Sequence, residues 1–231
     1  MKALAIVLVS GGLDSCVTAA VASKDYELAF LHVNYGQRTE ARELRAFKEI
    51  ADFYGVSKRF IASIDYLKKI GGSSLIDKDL KIPDYREKIE GIPSTYVPFR
   101  NTHLIAIAVS WAEVICAKKI FIGAMEEDSS GYPDCREVYF RAYNQLIDLG
   151  TRPETRIEIE TPIIHLKKWE VVKLGAELGA PFHLTWSCYR SEDIACGRCE
   201  SCILRLKAFR KAGIKDPIAY QSSNLSDALE R

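Results

Sequence analysis

Apolar runs and amphipathic stretches alternate along this chain in a regular order. Residues 3–9 form a continuous apolar run, the pattern of a strand buried on both faces of a parallel sheet. Residues 14–23 then read as a helix. A second apolar run spans 26–33 and is closed by Asn34-Tyr35-Gly36-Gln37-Arg38. Residues 39–54 carry Ala41, Leu44, Phe47, Ile50 and Ala51 at helical spacing, so one face of a helix is apolar. The pattern predicts a third strand at 57–61, and an apolar helix at 102–115 with Asn101 as its cap. A fourth strand at 119–123, a helix at 137–149 and a fifth strand at 156–161 follow. The last predicted helix, 167–178, stops at Gly179 and Pro181. Strands alternating with helices specify an α/β fold with a doubly wound, mainly parallel sheet.

Ligands of such sheets gather outside the carboxyl ends of the strands. Polar, turn-rich segments follow the predicted strands there, at 10–15, 32–38, 123–127 with 130–136, and 162–168. Between 64 and 100 no clear period holds, and Gly71-Gly72-Ser73-Ser74 is mixed with charged residues. A connection of that length predicts a mobile lid over the site.

The segment Ser10-Gly11-Gly12-Leu13-Asp14-Ser15 carries the sharpest chemistry. Its glycines permit a tight turn and close backbone approach to a ligand. The helix after it points free N–H groups and a positive dipole end at whatever sits on the loop. An anion such as a phosphate is expected. The loop lacks the Lys of a Walker A motif and is not the G-x-G-x-x-G dinucleotide fingerprint.

Near the other end, Cys188, Cys196, Cys199 and Cys202 have the spacing C-x7-C-x2-C-x2-C. Two overlapping C-x2-C pairs turn thiolates toward one centre, as in a closed structural zinc site. An iron–sulfur cluster is the competing reading of four thiolates. Arg190, Arg198 and Arg205 would offset their charge, and Gly197 would permit the turn. Cys16 and Cys116 are expected in the core, while Cys135 falls in a polar loop.

Composition narrows the class. At 231 residues one compact unit is expected. Lys+Arg minus Asp+Glu is 32 − 31 = +1, so no global field favours nucleic acid or an anionic membrane. The opening apolar run turns into the glycine loop after Val9, which fits neither a signal peptide nor an anchor. No apolar run reaches the length of a membrane span. A cytoplasmic location is the expectation, and there cysteines serve as ligands or core residues rather than as a disulfide framework.

The glycine loop resembles that of the PP-loop ATP pyrophosphatase superfamily, whose members cleave ATP between its α and β phosphates. Further segments occur in one order: Tyr35-Gly36-Gln37-Arg38, Val97-Pro98-Phe99-Arg100-Asn101, Gly131-Tyr132-Pro133-Asp134-Cys135-Arg136, and Thr185-Trp186-Ser187-Cys188 leading into the cysteines. That series, over about residues 4–210, resembles the 7-cyano-7-deazaguanine synthase family of queuosine precursor biosynthesis. The resemblance implies a single PP-loop domain over 1–231, with a zinc-binding subregion at 186–210. It implies a ligase that takes 7-carboxy-7-deazaguanine, ammonia and ATP, and forms the nitrile through adenylated carboxylate and amide intermediates. It also implies Mg²⁺ with ATP, one structural zinc on the four cysteines, and homodimers, which are common in the family. A PP-loop enzyme acting on tRNA is the alternative, but such enzymes add a basic domain or a catalytic cysteine pair.

Residue roles follow from the same resemblance. Leu8, Val9, Ser10, Gly11, Gly12, Leu13, Asp14, Ser15, Cys16, Val17 and Thr18 would form the ATP site, with Asp14 holding Mg²⁺. Arg100 would neutralise phosphate charge, and Lys168 would stabilise the leaving pyrophosphate. Gln37, Arg38, Tyr132, Asp134 and Arg136 would contact the substrate, with Trp186 as a further ring to stack on it. The chain departs from the family at Phe99, where a Gly is usual, and a bulky residue there would fill space near the ligand.

Overall fold

A computed structural model describes residues 2–85, 91–126 and 131–221. Five strands, β1 (Leu4–Leu8), β2 (Glu27–Asn34), β3 (Lys58–Ser63), β4 (Lys119–Phe121) and β5 (Glu158–Glu160), form one sheet in the order β3-β2-β1-β4-β5. Every pairing is parallel, with Ile6 opposite Ala29 on one side and Ile120 on the other. The helices are α1 (Leu13–Ser23), α2 (Glu40–Phe53), α3 (Tyr66–Ile70), α4 (Arg100–Ile115), α5 (Glu137–Gly150), α6 (Lys168–Glu177) and α7 (Glu200–Ala212).

The central strand is apolar throughout because both its faces are covered. Ile6 and Leu8 pack with Ile105, Ala108 and Ala112 of α4 and with Phe140 and Ile147 of α5. Ala5 and Val7 face the opposite layer, with Val17 of α1, Phe47 and Ile50 of α2, Val171 and Val172 of α6, and Phe209 of α7. Side-chain alternation along a strand puts neighbours on opposite faces, so one run of sequence serves two cores. The order of strands reverses at β1, which leaves a crevice between the ends of β1 and β4.

Several expectations shift. The helix expected at 102–115 begins at Arg100, so Asn101 lies inside it and its cap position is Phe99 in a left-handed conformation, φ 58°. The third strand runs on to Ser63, and the fourth is three residues long. Cys16 is in the core as expected, whereas Cys116 is exposed and ends α4 with φ 57°. The described part of the expected lid is packed and tied down, with Leu67, Leu75, Ile76, Ile82 and Val97 buried. Arg38 donates to the carbonyls of Asp77, at 2.6 Å, and Leu80. Arg190 holds Asp84 at 2.6 Å. Residues 86–90 and 127–130, within the expected lid and the polar segments after the fourth strand, lie outside the described residues.

Candidate active site

The glycine loop bends at the crevice. Gly11 has φ 88°, and a Cβ there would stand 2.7 Å from the Glu43 carbonyl and 2.9 Å from Ala46 Cβ. Only glycine lets the loop lie this close to α2. On the other side Gly123, just past β4, abuts the Asp14 backbone, where a Cβ on Gly123 would come within 2.9 Å of the Asp14 carbonyl. The loop is held internally, with Gly12 N–H donating to Ser10 Oγ at 3.2 Å and Ser15 Oγ donating to the Gly12 carbonyl at 3.0 Å. Gly12 is the cap position of α1, with no side chain to bond the first-turn N–H groups. Those groups have no partner within a helix, which makes this end an anion seat.

A cavity of about 310 Å³ opens on that loop. Its wall includes Leu8, Val9, Ser10, Gly12, Leu13, Asp14 and Ser15 from the loop side, and Tyr35, Glu43, Arg100, Tyr132, Cys135, Lys168 and Trp186 around it. Asp14 Oδ2 accepts from Lys168 Nζ at 2.5 Å, joining the starts of α1 and α6. Asp14 Oδ1 is buried and accepts no hydrogen bond, an acceptor with capacity to spare. Arg100 donates through Nη1 to Tyr35 Oη at 3.2 Å and lies 5.2 Å from that ring's centre. Burial works against its charge, but Tyr35, Cys135, Asp134 and Tyr132 around it carry its pKa upward overall. It therefore presents a permanent cation to the cavity.

Glu43, on α2, is the wall residue that sequence reasoning missed. Thr39 Oγ1 donates to its Oε1 at 2.7 Å and Gln37 Nε2 to its Oε2 at 3.2 Å. Burial pushes this carboxyl up to about 7, against those two hydrogen bonds and the Arg100 charge, which pull it down. The sequence offers only Thr39 one turn and Gln37 six residues before this acid, a hydrogen-bonding set that by itself marks no cavity.

Other expected site residues have different duties. Cys16, Val17 and Thr18 are buried under the loop in the core of α1 and do not reach the cavity wall. Gln37 braces Glu43, and its Oε1 accepts from Tyr35 N at 2.8 Å. Arg38 is spent on the carbonyls of 77 and 80. Asp134 is buried, with Oδ2 accepting from Asn101 N at 2.9 Å and its carbonyl from Asn101 Nδ2 at 2.8 Å. It satisfies an open N–H at the start of α4 in place of the cap expected from Asn101. Arg136 is exposed and folds back on the Pro133 carbonyl at 3.1 Å. Tyr132 does reach the cavity and pairs with Thr95 Oγ1 at 2.7 Å. Phe99 is 57% exposed and is not in the cavity wall, so the expected filling of ligand space does not occur. Burial pushes the Cys135 thiol up to about 11, so it is protonated and a poor nucleophile.

The four cysteines come together. Cys188, Cys196, Cys199 and Cys202 are buried, and their sulfurs lie within 4.8 Å of one another. Backbone N–H groups of Arg190 and Cys196 point at Cys188 Sγ, and that of Cys199 at Cys196 Sγ, each at 3.4 Å. Gly197 makes the intervening turn with φ 70°. Cys199 stands at the N-terminus of α7, whose dipole favours a thiolate. This donor set fits a metal ion held by sulfur, such as zinc.

A family model described as "Queuosine biosynthesis protein QueC" matches residues 4–213. The chain belongs to the QueC family. A relative from Chloroherpeton thalassium named 7-cyano-7-deazaguanine synthase is 58% identical over 218 residues, which is 94% of this chain and 96% of that protein. A second of the same name, from Chlorobium chlorochromatii, is 55% identical over 219 residues, again 94% and 96%. A solved structure described as a predicted subunit of a tRNA methyltransferase from Methanocaldococcus jannaschii shares the fold, with a TM-score of 0.50 at 14% identity over 96% of this chain and 93% of that one. For this QueC chain, then, the family is fixed by sequence and the architecture has a solved parallel.

Proposed function

We propose that this protein is a 7-cyano-7-deazaguanine synthase, a ligase that joins ammonia to 7-carboxy-7-deazaguanine at the expense of ATP. The family match over residues 4–213 carries the reading. The cavity at the crevice, with an anion-binding helix start, a cation at Arg100 and an acid–lysine pair, supports it.

A carboxylate oxygen is a poor leaving group. Transfer of an adenylyl group from ATP makes it a good one, and pyrophosphate departs. The N–H groups at the start of α1, with Ser10 and Ser15, bind the phosphates. Arg100 and Lys168 stabilise the charge that develops on the phosphates. Tyr132 and Trp186 border the space for the deazaguanine ring. Ammonia then attacks the acyl carbon, the bond to AMP breaks, and a primary amide results. A second adenylation, now on the amide oxygen, releases another pyrophosphate; the C–O bond to AMP then breaks with its pair leaving on AMP, nitrogen gives up both protons, and the nitrile forms.

Asp14, with its unpartnered Oδ1, is the residue that would hold Mg²⁺, and a bound Mg²⁺ supplies charge neutralisation of the polyphosphate. The four cysteines would hold one zinc in a purely structural role. In this reading the chain works as one domain, with 186–210 as its metal-holding subregion, in the cytoplasm. Among the described residues no helix is long and apolar enough to cross a membrane. A homodimer is part of the same reading, and the shallow apolar groove of Phe60, Ile107 and Trp111 beside edge strand β3 offers a face for it.

Incubating the purified protein with 7-carboxy-7-deazaguanine, ammonium and Mg-ATP, with mass detection of products, tests the proposal. The amide should appear first and the nitrile after it. Absence of any ATP-dependent product overturns it.

A further inference from the structure

Ammonia reaches an enzyme at neutral pH mainly as ammonium, which has no electron pair to attack with. The synthase reaction therefore needs a base at the acyl carbon, and none of Asp14, Arg100 or Lys168 suits that duty. Asp14 is committed to Lys168 at the phosphate end. Arg100 is a fixed cation. Of the other acids in the wall, Glu200 adjoins Cys199 in the thiol cluster.

Glu43 has the right place. It is one of the residues that line the cavity, on the part of α2 whose Glu43 carbonyl packs against Gly11. Each of its oxygens accepts one bond, from Thr39 and from Gln37, and a carboxylate oxygen has capacity for a second. We propose that Glu43 is the general base that takes a proton from ammonium bound in this cavity and so delivers ammonia to the activated carboxyl. This rests on the synthase reading and deepens it.

The step balances as a proton transfer followed by substitution. One proton passes from ammonium to a Glu43 oxygen, and the freed nitrogen pair forms the C–N bond. The C–O bond to AMP breaks with its pair leaving on AMP, and the nitrogen sheds a second proton to water. Glu43 then returns its proton to solvent through the open cavity. The groups facing it are Tyr35 from the end of β2, Gln37 and Thr39 from the turn, Glu40 from α2 and Arg100 from α4. Tyr35 is neutral because burial raises it. Arg100 and the two donors keep the carboxyl ionisable, while burial and Glu40 raise its basicity to about 7, which matches a base working at neutral pH.

The test compares wild type with Glu43→Gln on three readouts. Carboxylate-dependent exchange of labelled pyrophosphate into ATP reports adenylation alone and should stay within about threefold. Amide formation from ammonium should fall about 100-fold or more, the usual range for loss of a general base. Hydroxylamine is an uncharged nucleophile at neutral pH, so hydroxamate formation should stay near the wild-type rate. Equal loss with both nucleophiles, or no loss with ammonium, overturns the assignment. If wild type itself shows neither exchange nor product, the synthase reading fails instead.

Thr39→Val provides an arm that leaves the carboxylate in place. In wild type, kcat/KM for total ammonium should rise to a plateau above about pH 7. Losing the Thr39 donor should move that rise up by about one pH unit. A rate that climbs tenfold per pH unit through about pH 8.5 in both proteins would mean free ammonia enters unaided, and would overturn the proposal.

Discussion

The Trp186 backbone N–H donates to the Gly11 carbonyl at 2.8 Å, so the segment that leads into the four cysteines is bonded to the glycine loop itself. Arg42 of α2 lies over the Trp186 ring at 4.7 Å, and the indole N–H donates to the Ser191 carbonyl at 3.0 Å. The glycine loop and the segment entering the thiol cluster are thus tied directly to each other. Cys199→Ser should lower zinc below one per chain and reduce Tm by about 10 °C or more, since binding energy at such a site is folding energy. It should also raise the KM for ATP several-fold. Metal analysis, a thermal melt and ATP kinetics check this, and full zinc content would show that the ligand set is wrong.

Asp14→Asn keeps the shape of the loop but loses the charge that pairs with Lys168. Turnover should fall about 100-fold to 1,000-fold, the size seen when a preorganised electrostatic contact is removed. The pair is partly exposed, so Tm should stay within about 2 °C. Steady-state rates and a melt on one preparation separate the two effects.

Arg205 is the largest fully buried side chain among the described residues, and Asp216 holds it through two bonds of 2.8 and 2.9 Å. Its other bonds, to Thr185 Oγ1 at 2.7 Å, Ser187 Oγ at 3.2 Å and the Phe182 carbonyl at 3.3 Å, fasten α7 to the segment before the cysteines. Asp216→Ala leaves a buried cation without its carboxylate, which should cost about 3–5 kcal/mol. Urea unfolding should show the midpoint drop, with little change in the slope.

Phe99 sits at φ 58° with its ring largely in solvent. A left-handed backbone costs a residue with a Cβ about 1–2 kcal/mol, a cost that glycine would not carry. Phe99→Gly should therefore raise Tm by about 2 °C once the extra unfolded-state entropy of glycine is subtracted. Catalysis should not change, as an activity assay would show.

Glu43 also links stability to pH. Its folded pKa of about 7 lies above the ordinary carboxylate value. The folded state then binds the extra proton between about pH 4.5 and 7, so this group's stabilising effect is complete at low pH and lost as pH rises through 7. Glu43→Gln should be more stable than wild type at about pH 8 by about 3 kcal/mol, and equal to it near about pH 4. Denaturant titrations at the two pH values decide it.

Much of this was legible in the residues because β1 and β2 are long apolar runs and α2 has a clear apolar face, so periodicity had enough length to act on. The loop and the cysteine spacing were legible for another reason, since their chemistry needs few residue types. What stayed hidden was partnership. Arg38 and Asp134 read as ligand contacts because polar residues at strand exits look alike, whether they face a substrate or a carbonyl 39 residues away. The α7 helix escaped because its first turn is taken up by Cys199 and Cys202, which mask the spacing of Ile203, Leu206 and Phe209. Glu43 escaped because an acid on the polar face of a helix gives no sign that the face lines a cavity.

The 2.5 Å contact between Lys168 and Asp14 has a consequence for how the site attracts its nucleotide. While the two are joined, each cancels the other's field, so the long-range pull on a polyanion falls to Arg100 and the α1 dipole. In the proposed reading, a divalent cation held through Asp14 Oδ1 would draw charge away from the pairing at Oδ2 and leave the lysine to the phosphates. Nucleotide and metal would then strengthen each other's hold at the start of α1.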